Sequence, residues 1–323
     1  MGVNDTELTM MMLGASGVGK TTLLATMYME LKKMDSQAQF GFQAEDDTAI
    51  DLKEAFLKLQ KIIWESNFSK VERLLEGTAG ITERKFSTLF EGKKEFDFSF
   101  HDYAGGLLEL KNSDNSDVER VKTLLRNSLV IINVIDGASL MEGSTFLNEK
   151  INNPFLLSEL LGKIIDDKQV KNKLVLFVIT KCETWLKNDS GRKQLEQIFE
   201  KRHKEVLNVI SNNPNKNSYA VLIPVKTLGC VEFSRVNHYE EGDDEEIVFV
   251  KKPGVLFKPE ELEQPLRYAL AFALSEQYQN MNIFTKLINR VTGKNKRFLP
   301  ALKQFTDNRN KNFKTYGNAS LLL

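Results

Sequence analysis

Cysteine is scarce in this sequence: the 323 residues contain two, Cys182 and Cys230. Two cysteines cannot build a disulfide framework, so we expect a reducing, cytoplasmic setting. Net charge is lacking as well, because 44 basic side chains balance 44 acidic ones. A neutral chain does not attract nucleic acid or a membrane over its whole surface, and no motif specific to nucleic-acid binding is present.

Long apolar runs are also missing. Runs such as 129–135 fall far short of the roughly 18 residues that span a bilayer. The N-terminus has no basic flank followed by an apolar stretch, which a secretory signal requires. Hydrophobic residues nevertheless make up 41% of the chain, enough to build a core. We therefore expect a soluble, folded protein without a transmembrane segment.

Apolar runs of strand length alternate along the chain with segments of helical periodicity. Strands are predicted over 9–13, 129–134, 174–179 and 220–225, and helices over 20–33, 47–76, 117–127, 156–165 and 191–211. Alternating residues at 86–90 and 96–100, around Gly92-Lys93-Lys94, predict a hairpin. Strands that are apolar on both faces and alternate with helices are typical of a parallel sheet covered on each side. The predicted fold is therefore a three-layer α/β P-loop domain with a mostly parallel sheet and one antiparallel edge strand.

The chain is predicted to divide into two parts. The P-loop domain would cover 1–229, with a helical insertion at about 44–76, and the C-terminal extension would cover 230–323. That extension contains an acidic hairpin near 240–246, a closing helix from about Glu260 and a basic end. From 283 onward nine lysine or arginine residues stand against one acidic residue, Asp307. Such a basic stretch is either a solvated face or a docking surface for an acidic partner.

A phosphate-binding motif carries the strongest functional signal. Gly14-Ala15-Ser16-Gly17-Val18-Gly19-Lys20-Thr21 fits G-x-x-x-x-G-K-[ST] and lies between a predicted strand and a predicted helix. Small residues let backbone N–H groups wrap a phosphate, and the helix N-terminus adds partial positive charge. Lys20 would bridge the β- and γ-phosphates, and the Thr21 hydroxyl would bind Mg²⁺. The motif therefore predicts a nucleoside triphosphate site.

Two further segments suit the metal and the γ-phosphate. Asp102-Tyr103-Ala104-Gly105 ends the second hairpin strand, where Asp102 would hold Mg²⁺ and the Gly105 N–H would meet the γ-phosphate. Gly80-Ile81-Thr82 precedes the first hairpin strand, where the Thr82 hydroxyl would join the metal while a γ-phosphate is present. Thr21, Thr82 and Asp102 are thus the predicted metal ligands.

Together these motifs resemble those of the Ras-like, translation-factor-related (TRAFAC) class of GTPases, over about residues 8–229. Thr180-Lys181-Cys182-Glu183 resembles the base-reading [NT]-K-x-D motif. Pro224-Val225-Lys226-Thr227 is similar to the loop that closes over guanine. Within the class, the chain length and the Gly-Thr-x-Gly-Ile-Thr stretch look most like the prokaryotic double-GTPase group.

The resemblance implies roles for the matching residues. Lys181 would lie along the guanine ring, and the Glu183 carboxylate would accept hydrogen bonds from guanine N1 and N2. Adenine lacks that pair of donors and would leave the buried carboxylate unpaired. Lys20, Thr82, Asp102 and Gly105 would take part in hydrolysis. The implied nucleotide contacts are Gly14, Ser16, Gly17, Val18, Gly19, Lys20, Thr21, Thr22, Thr180, Lys181, Glu183, Lys226 and Thr227.

Two departures from the class pattern leave alternatives open. Glu183 replaces the usual aspartate, so a regulatory ATPase is one alternative to a GTPase. Gly106 stands where Ras-like proteins often carry the glutamine that orients the attacking water, so hydrolysis is expected to be slow. A nucleotide-dependent scaffold without catalysis is the second alternative. The favoured interpretation is a Mg²⁺-dependent GTP-binding protein that hydrolyses GTP slowly, switches between GTP and GDP states, and acts on a protein effector or is completed by an activating partner.

Overall fold

A computed structural model describes residues 8–35, 40–64, 69–70, 75, 81–103, 115–167, 170–238, 245–251, 253–279 and 297–322. The strands are β1 (Leu8–Leu13), β2 (Phe40–Ala44), β3 (Ser69–Lys70), β4 (Ile81–Phe90), β5 (Lys93–Tyr103), β6 (Val130–Asp136), β7 (Lys173–Thr180), β8 (Ser218–Pro224), β9 (Val231–His238), β10 (Glu245–Lys251) and β11 (Thr315–Gly317). The helices are α1 (Lys20–Asp35), α2 (Asp46–Ile63), α3 (Asn115–Asn127), α4 (Gly137–Met141), α5 (Thr145–Asn152), α6 (Pro154–Ile165), α7 (Asp189–Arg202), α8 (Lys204–Ser211), α9 (Gln264–Gln279) and α10 (Phe298–Asp307).

The main sheet has eight strands in the order β11-β8-β7-β6-β1-β5-β4-β2. Strands β5, β1, β6, β7 and β8 are parallel to their neighbours within this group. The hairpin makes β4 antiparallel to β5, and β11 pairs antiparallel with β8 at the far edge. The predicted α/β fold with a mostly parallel sheet and an antiparallel edge strand is confirmed.

Each central strand is buried on both faces because helices cover both sides of the sheet. In β1, Leu8, Met10 and Met12 belong to one core cluster, with helices α1, α2, α9 and α10. Met11 and Leu13 belong to a second cluster, with helices α3, α4, α6, α7 and α8. Alternate residues of one strand thus feed two cores, which is the predicted three-layer arrangement.

Tertiary packing changes two predicted helices. The helix predicted over 47–76 ends at Ile63, and Ser69–Lys70 instead forms β3, which pairs with β10 in a separate three-stranded sheet. The helix predicted over 191–211 is broken at His203, whose fully buried ring stacks on Phe199 at 4.6 Å between centroids. The predicted hairpin is present, and Glu91 and Gly92 form its turn with φ of 50° and 74°.

The C-terminal region contributes to the same layers. Strand β11 extends the main sheet, and α9 and α10 pack in the core cluster that also contains α1. A helix, α9, follows the predicted start near Glu260 and begins at Gln264, and strands β9 and β10 form an antiparallel pair. The division of the chain at residues 229 and 230 stays a prediction. Among the described residues, no helix combines the length and apolarity needed to cross a membrane.

Candidate nucleotide-binding site

The loop Gly14–Gly19 joins the carboxyl end of β1 to the first turn of α1. Three of its glycines have positive φ: 139° at Gly14, 89° at Gly17 and 104° at Gly19. A Cβ atom at Gly14 would lie 2.7 Å from the carbonyl oxygen of Val134 in β6, so a side chain does not fit there. The loop therefore has the backbone freedom and the helix N-terminus that phosphate binding requires.

Lys20 is buried in the first turn of α1, with 5% of its surface exposed. Its ammonium group donates to the carbonyl oxygens of Gly14 at 2.7 Å and Ala15 at 3.2 Å. The same Nζ lies 3.7 Å from Asp102 Oδ1. The lysine thus points back over the loop, toward the place where the motif predicts phosphate oxygens.

Asp102 brings the hairpin to this loop. It lies near the carboxyl end of β5, is fully buried, and pairs with Met12 of β1 in the parallel ladder. On its other side it stands opposite Thr82 of β4. The predicted metal residues Thr82 and Asp102 are therefore adjacent, and Asp102 is close to the lysine of the loop.

Arg84 is a further buried charge at this position, and it was not predicted as a site residue. Its guanidinium Nη1 donates to Asp102 Oδ2 at 3.3 Å, and 7% of the residue is exposed. Because side chains alternate along a strand, Arg84 lies on the same face of β4 as Thr82. The spacing of two residues between Thr82 and Arg84 was therefore the sequence signal that could have identified Arg84. Lys20 and Arg84 thus contact different oxygens of one carboxylate.

The donor atoms of the predicted metal residues fit a magnesium ion. Thr21 and Thr82 offer hydroxyl oxygens and Asp102 a carboxylate, and Mg²⁺ prefers oxygen ligands completed by water and phosphate. Within the described ranges, no three acidic, histidine or cysteine side chains come together as a metal site. A site of this composition would therefore depend on phosphate oxygens for the rest of its ligands.

Thr180 links the phosphate loop to the predicted base-reading motif. It ends β7, is fully buried, and donates its hydroxyl to the backbone oxygens of Val18 at 2.5 Å and Ile135 at 3.2 Å. A Cβ atom at Gly19 would lie 3.2 Å from Thr180 Oγ1. The Thr180 hydroxyl therefore supports the phosphate loop by binding the backbone oxygen of Val18. Within the loop, Val18 is buried, whereas Ser16 and Gly17 are exposed.

Lys181 has a positive φ of 53° and makes an ion pair that was not predicted. Its Nζ lies 2.6 Å from Oδ2 of Asp136, which is 4% exposed on its side chain and also caps α4. The ring centroid of Phe249 in β10 lies 5.4 Å from the same ammonium. The lysine is thus held between the end of β6 and a strand of the C-terminal region.

Glu183 holds the loop after β8. Its Oε1 accepts hydrogen bonds from the Thr227 N–H at 3.0 Å, the Thr227 hydroxyl at 3.2 Å and the Leu228 N–H at 3.4 Å. Burial raises the pKa of this carboxyl, and these hydrogen bonds oppose the rise. The predicted base-reading residues Glu183 and Thr227 are therefore together, and all three of these bonds use one carboxylate oxygen.

Comparison with known families agrees with this geometry. A model of the family described as Double-GTPase 2 matches residues 10–221, well over half of the chain. The chain belongs to the Double-GTPase 2 family. No curated protein matches the sequence. The match confirms the prediction of a P-loop GTPase of the double-GTPase group and supports guanine-nucleotide binding in general. The matched span ends before Lys226 and Thr227, so the loop held by Glu183 lies outside it.

In this Double-GTPase 2 protein the predicted site residues form two groups. Lys20, Thr82 and Asp102 lie together beside the phosphate loop, where Thr21 and Thr22 are half-buried in the first turn of α1. Thr180, Lys181, Glu183, Lys226 and Thr227 lie at the ends of β7 and β8. Gly80, Gly105 and Gly106 fall outside the described residues, so their predicted roles are untested.

Proposed function

We propose that this protein binds GTP with Mg²⁺, hydrolyses it slowly to GDP and phosphate, and acts as a nucleotide-controlled switch. One observation carries the proposal: the buried Lys20 of the phosphate loop lies 3.7 Å from the fully buried Asp102, beside Thr82. The family match supports GTP as the nucleotide. A lysine and a carboxylate at one end of a parallel sheet are the pair that phosphoryl transfer with Mg²⁺ needs.

The residues have separate tasks in this proposal. The loop N–H groups and Lys20 bind the phosphates, with Lys20 exchanging the carbonyl oxygens of Gly14 and Ala15 for β- and γ-phosphate oxygens. Thr21, Thr82 and Asp102 would hold Mg²⁺, which when bound neutralises charge on the phosphates. Thr82 would make its contact while the γ-phosphate is present, and the Gly105 N–H would meet that phosphate.

Hydrolysis would transfer the γ-phosphoryl group to water, with the β-phosphate oxygen leaving in line. Lys20 and the backbone N–H groups would stabilise the negative charge on the transferred and leaving oxygens. Gly106 carries no side chain to orient the attacking water, so we expect slow turnover. Loss of the γ-phosphate would release residues 78–84 and 102–110, which is the change that a protein effector or activating partner would sense. Of these two segments, residues 78–80 and 104–110 lie outside the described residues.

Fluorescent nucleotide titrations test this proposal. We expect mant-GTP to bind at least about tenfold more tightly than mant-ATP in the presence of Mg²⁺. Single-turnover assays should then give slow release of phosphate from GTP. Equal affinity for the two nucleotides would contradict the guanine assignment. Tight GTP binding without any turnover, alone or with candidate partners, would leave a nucleotide-dependent scaffold.

A regulatory ATPase is the second candidate, and one contact favours it. The Glu183 carboxylate already accepts three hydrogen bonds from residues 227 and 228, so part of its acceptor capacity serves the protein. An ATPase would bind mant-ATP at least as tightly as mant-GTP.

The cytoplasmic location and the docking of the basic C-terminal stretch to an acidic partner also remain proposals, and residues 283–296 of that stretch lie outside the described residues.

A further inference from the structure

The loop 226–229 is bounded on two sides by different parts of the chain. On one side Glu183 accepts its three hydrogen bonds from Thr227 and Leu228. On the other side residues 258–260 of the C-terminal region run antiparallel to the loop. Both contacts involve backbone atoms of the loop, so its conformation depends on the two sides together.

Three backbone hydrogen bonds make the outer side. The Lys226 N–H donates to the Glu260 carbonyl at 3.1 Å, and the Glu260 N–H donates to the Lys226 carbonyl at 3.0 Å. The Lys258 N–H donates to the Leu228 carbonyl at 3.0 Å. An ion pair of 2.7 Å between Lys226 Nζ and Glu260 Oε2 adds a side-chain contact. A strand-like pairing of this kind fixes the path of both segments.

Gly229 makes this close approach possible. Its φ is +70°, and a Cβ atom there would lie 2.1 Å from the carbonyl oxygen of Lys258. No side chain fits in that distance, so any other residue would push the segment 258–260 away from the loop. Gly254 has nearly the same φ, +72°, but among the described residues no atom lies within 4 Å of its Cβ position. The two glycines therefore share a positive φ, but an added side chain would clash at Gly229 and, within the described part of the chain, would meet open space at Gly254.

We propose that the segment 258–260 positions the loop 226–229 for the nucleotide base, and that Gly229 and Glu260 are positioning residues for guanine recognition. This inference rests on the proposed GTP binding and extends it beyond the family-matched residues 10–221. Base recognition then requires a part of the C-terminal region. Phe249 of β10, whose ring contacts the Lys181 ammonium, belongs to the same region and covers the neighbouring base-reading residue.

Gly229→Ala tests the inference, with Gly254→Ala as the matched control for the cost of a positive φ. We expect Gly229→Ala to weaken mant-GTP binding about tenfold, which corresponds to the loss of about one hydrogen bond between the loop and the base. The affinity for mant-ATP should stay within about twofold of the wild-type value. Gly254→Ala should keep the wild-type ratio of GTP to ATP affinity. An unchanged ratio in Gly229→Ala would overturn the inference.

Glu260→Ala is the milder variant, because it removes the ion pairs with Lys226 and Lys258 and leaves the glycine and the backbone pairing in place. We expect the GTP-to-ATP affinity ratio to fall about twofold. Full-length Glu260→Ala that keeps the wild-type ratio would count against a positioning role for this side chain.

Hydrogen exchange separates this inference from the proposed function, because it needs no nucleotide. Amide exchange at Lys226, Lys258 and Glu260 should be faster in Gly229→Ala than in Gly254→Ala. Unchanged exchange would show that the segment does not hold the loop. If exchange rises as expected but the wild-type protein does not prefer GTP, the guanine assignment fails and the base-recognition role proposed for the segment fails with it.

Discussion

The buried charges around Asp102 give the prediction that depends most directly on the observed geometry. Arg84→Met keeps a long apolar side chain in β4 and removes the guanidinium that donates to Asp102 Oδ2 at 3.3 Å. Asp102 is fully buried, so water cannot replace the lost partner. Lys20 remains 3.7 Å from the other carboxylate oxygen and keeps part of the charge compensation.

The size of the effect follows from these distances. Two unit charges separated by the 3.3 Å of this pair attract by about 5 kcal/mol at an effective dielectric constant of about 20. The desolvation of Arg84 offsets part of that attraction, and breaking a buried pair generally costs about 3–5 kcal/mol. Because Lys20 also contacts the carboxylate, we expect Arg84→Met to lower the free energy of unfolding by about 3 kcal/mol.

Bound Mg²⁺·GTP should reduce this loss. If Asp102 holds Mg²⁺, the ion supplies positive charge that replaces Arg84, so the difference between wild type and Arg84→Met should fall by about half with ligand. Urea unfolding with and without saturating Mg²⁺·GTP measures both values. Arg297→Met is the matched control, because the Arg297–Glu91 pair at 3.0 Å is largely exposed and is expected to contribute less than about 1 kcal/mol. A loss below 1 kcal/mol for Arg84→Met, or one that ligand does not change, would refute this reasoning.

Three other substitutions probe separate parts of the protein. Gly14→Ala should weaken nucleotide binding at least about tenfold, because the new Cβ would lie 2.7 Å from the carbonyl oxygen of Val134. Gly92→Ala is the control, since its Cβ position is open within the described ranges, and it should bind nucleotide as the wild type does in the same titration. Glu183→Asp should withdraw the carboxylate from Thr227 and Leu228 and lower GTP affinity; an increase would mean that the bonds to the loop are dispensable. Burial lowers the pKa of His203 to about 3, so wild-type stability should fall as pH drops from 6.5 toward 3, by about 2 kcal/mol at pH 5. In urea titrations at about pH 7 and about pH 5, His203→Phe should lose less stability between the two pH values than the wild type does. An equal loss in both proteins would show that another group causes the pH dependence.

The central layers of the fold were predictable because their signals are local. Doubly apolar runs marked β1, β6, β7 and β8, and the phosphate motif fixed the junction of β1 and α1. Strands β2, β3 and β11 were not predicted, since they are short and gain their hydrogen bonds from partners distant in sequence, such as Phe90 for Phe40 and Val221 for Thr315. The break at His203 was hidden for a different reason, because the helical period of the apolar residues continues through it.

The candidate site was predictable where a motif carried it. Lys20, Thr82 and Asp102 were named from spacing, and the structure brings them together. Asp136 and Glu260 had no motif, since their partners Lys181 and Lys226 are 45 and 34 positions away along the chain. The contacts of Glu183 with residues 227 and 228 were likewise hidden, because only the folded chain shows that its carboxylate also holds the loop.

Isothermal titration calorimetry of the wild type and of Lys20→Ala with Mg²⁺·GTP tests most directly whether the loop 14–21 binds a nucleoside triphosphate. We expect saturable binding to the wild type and at least about 30-fold weaker binding to Lys20→Ala, which is the lower end of the cost of removing one partner of a buried charged contact. Equal affinity in the two proteins, or no binding to the wild type, would contradict it.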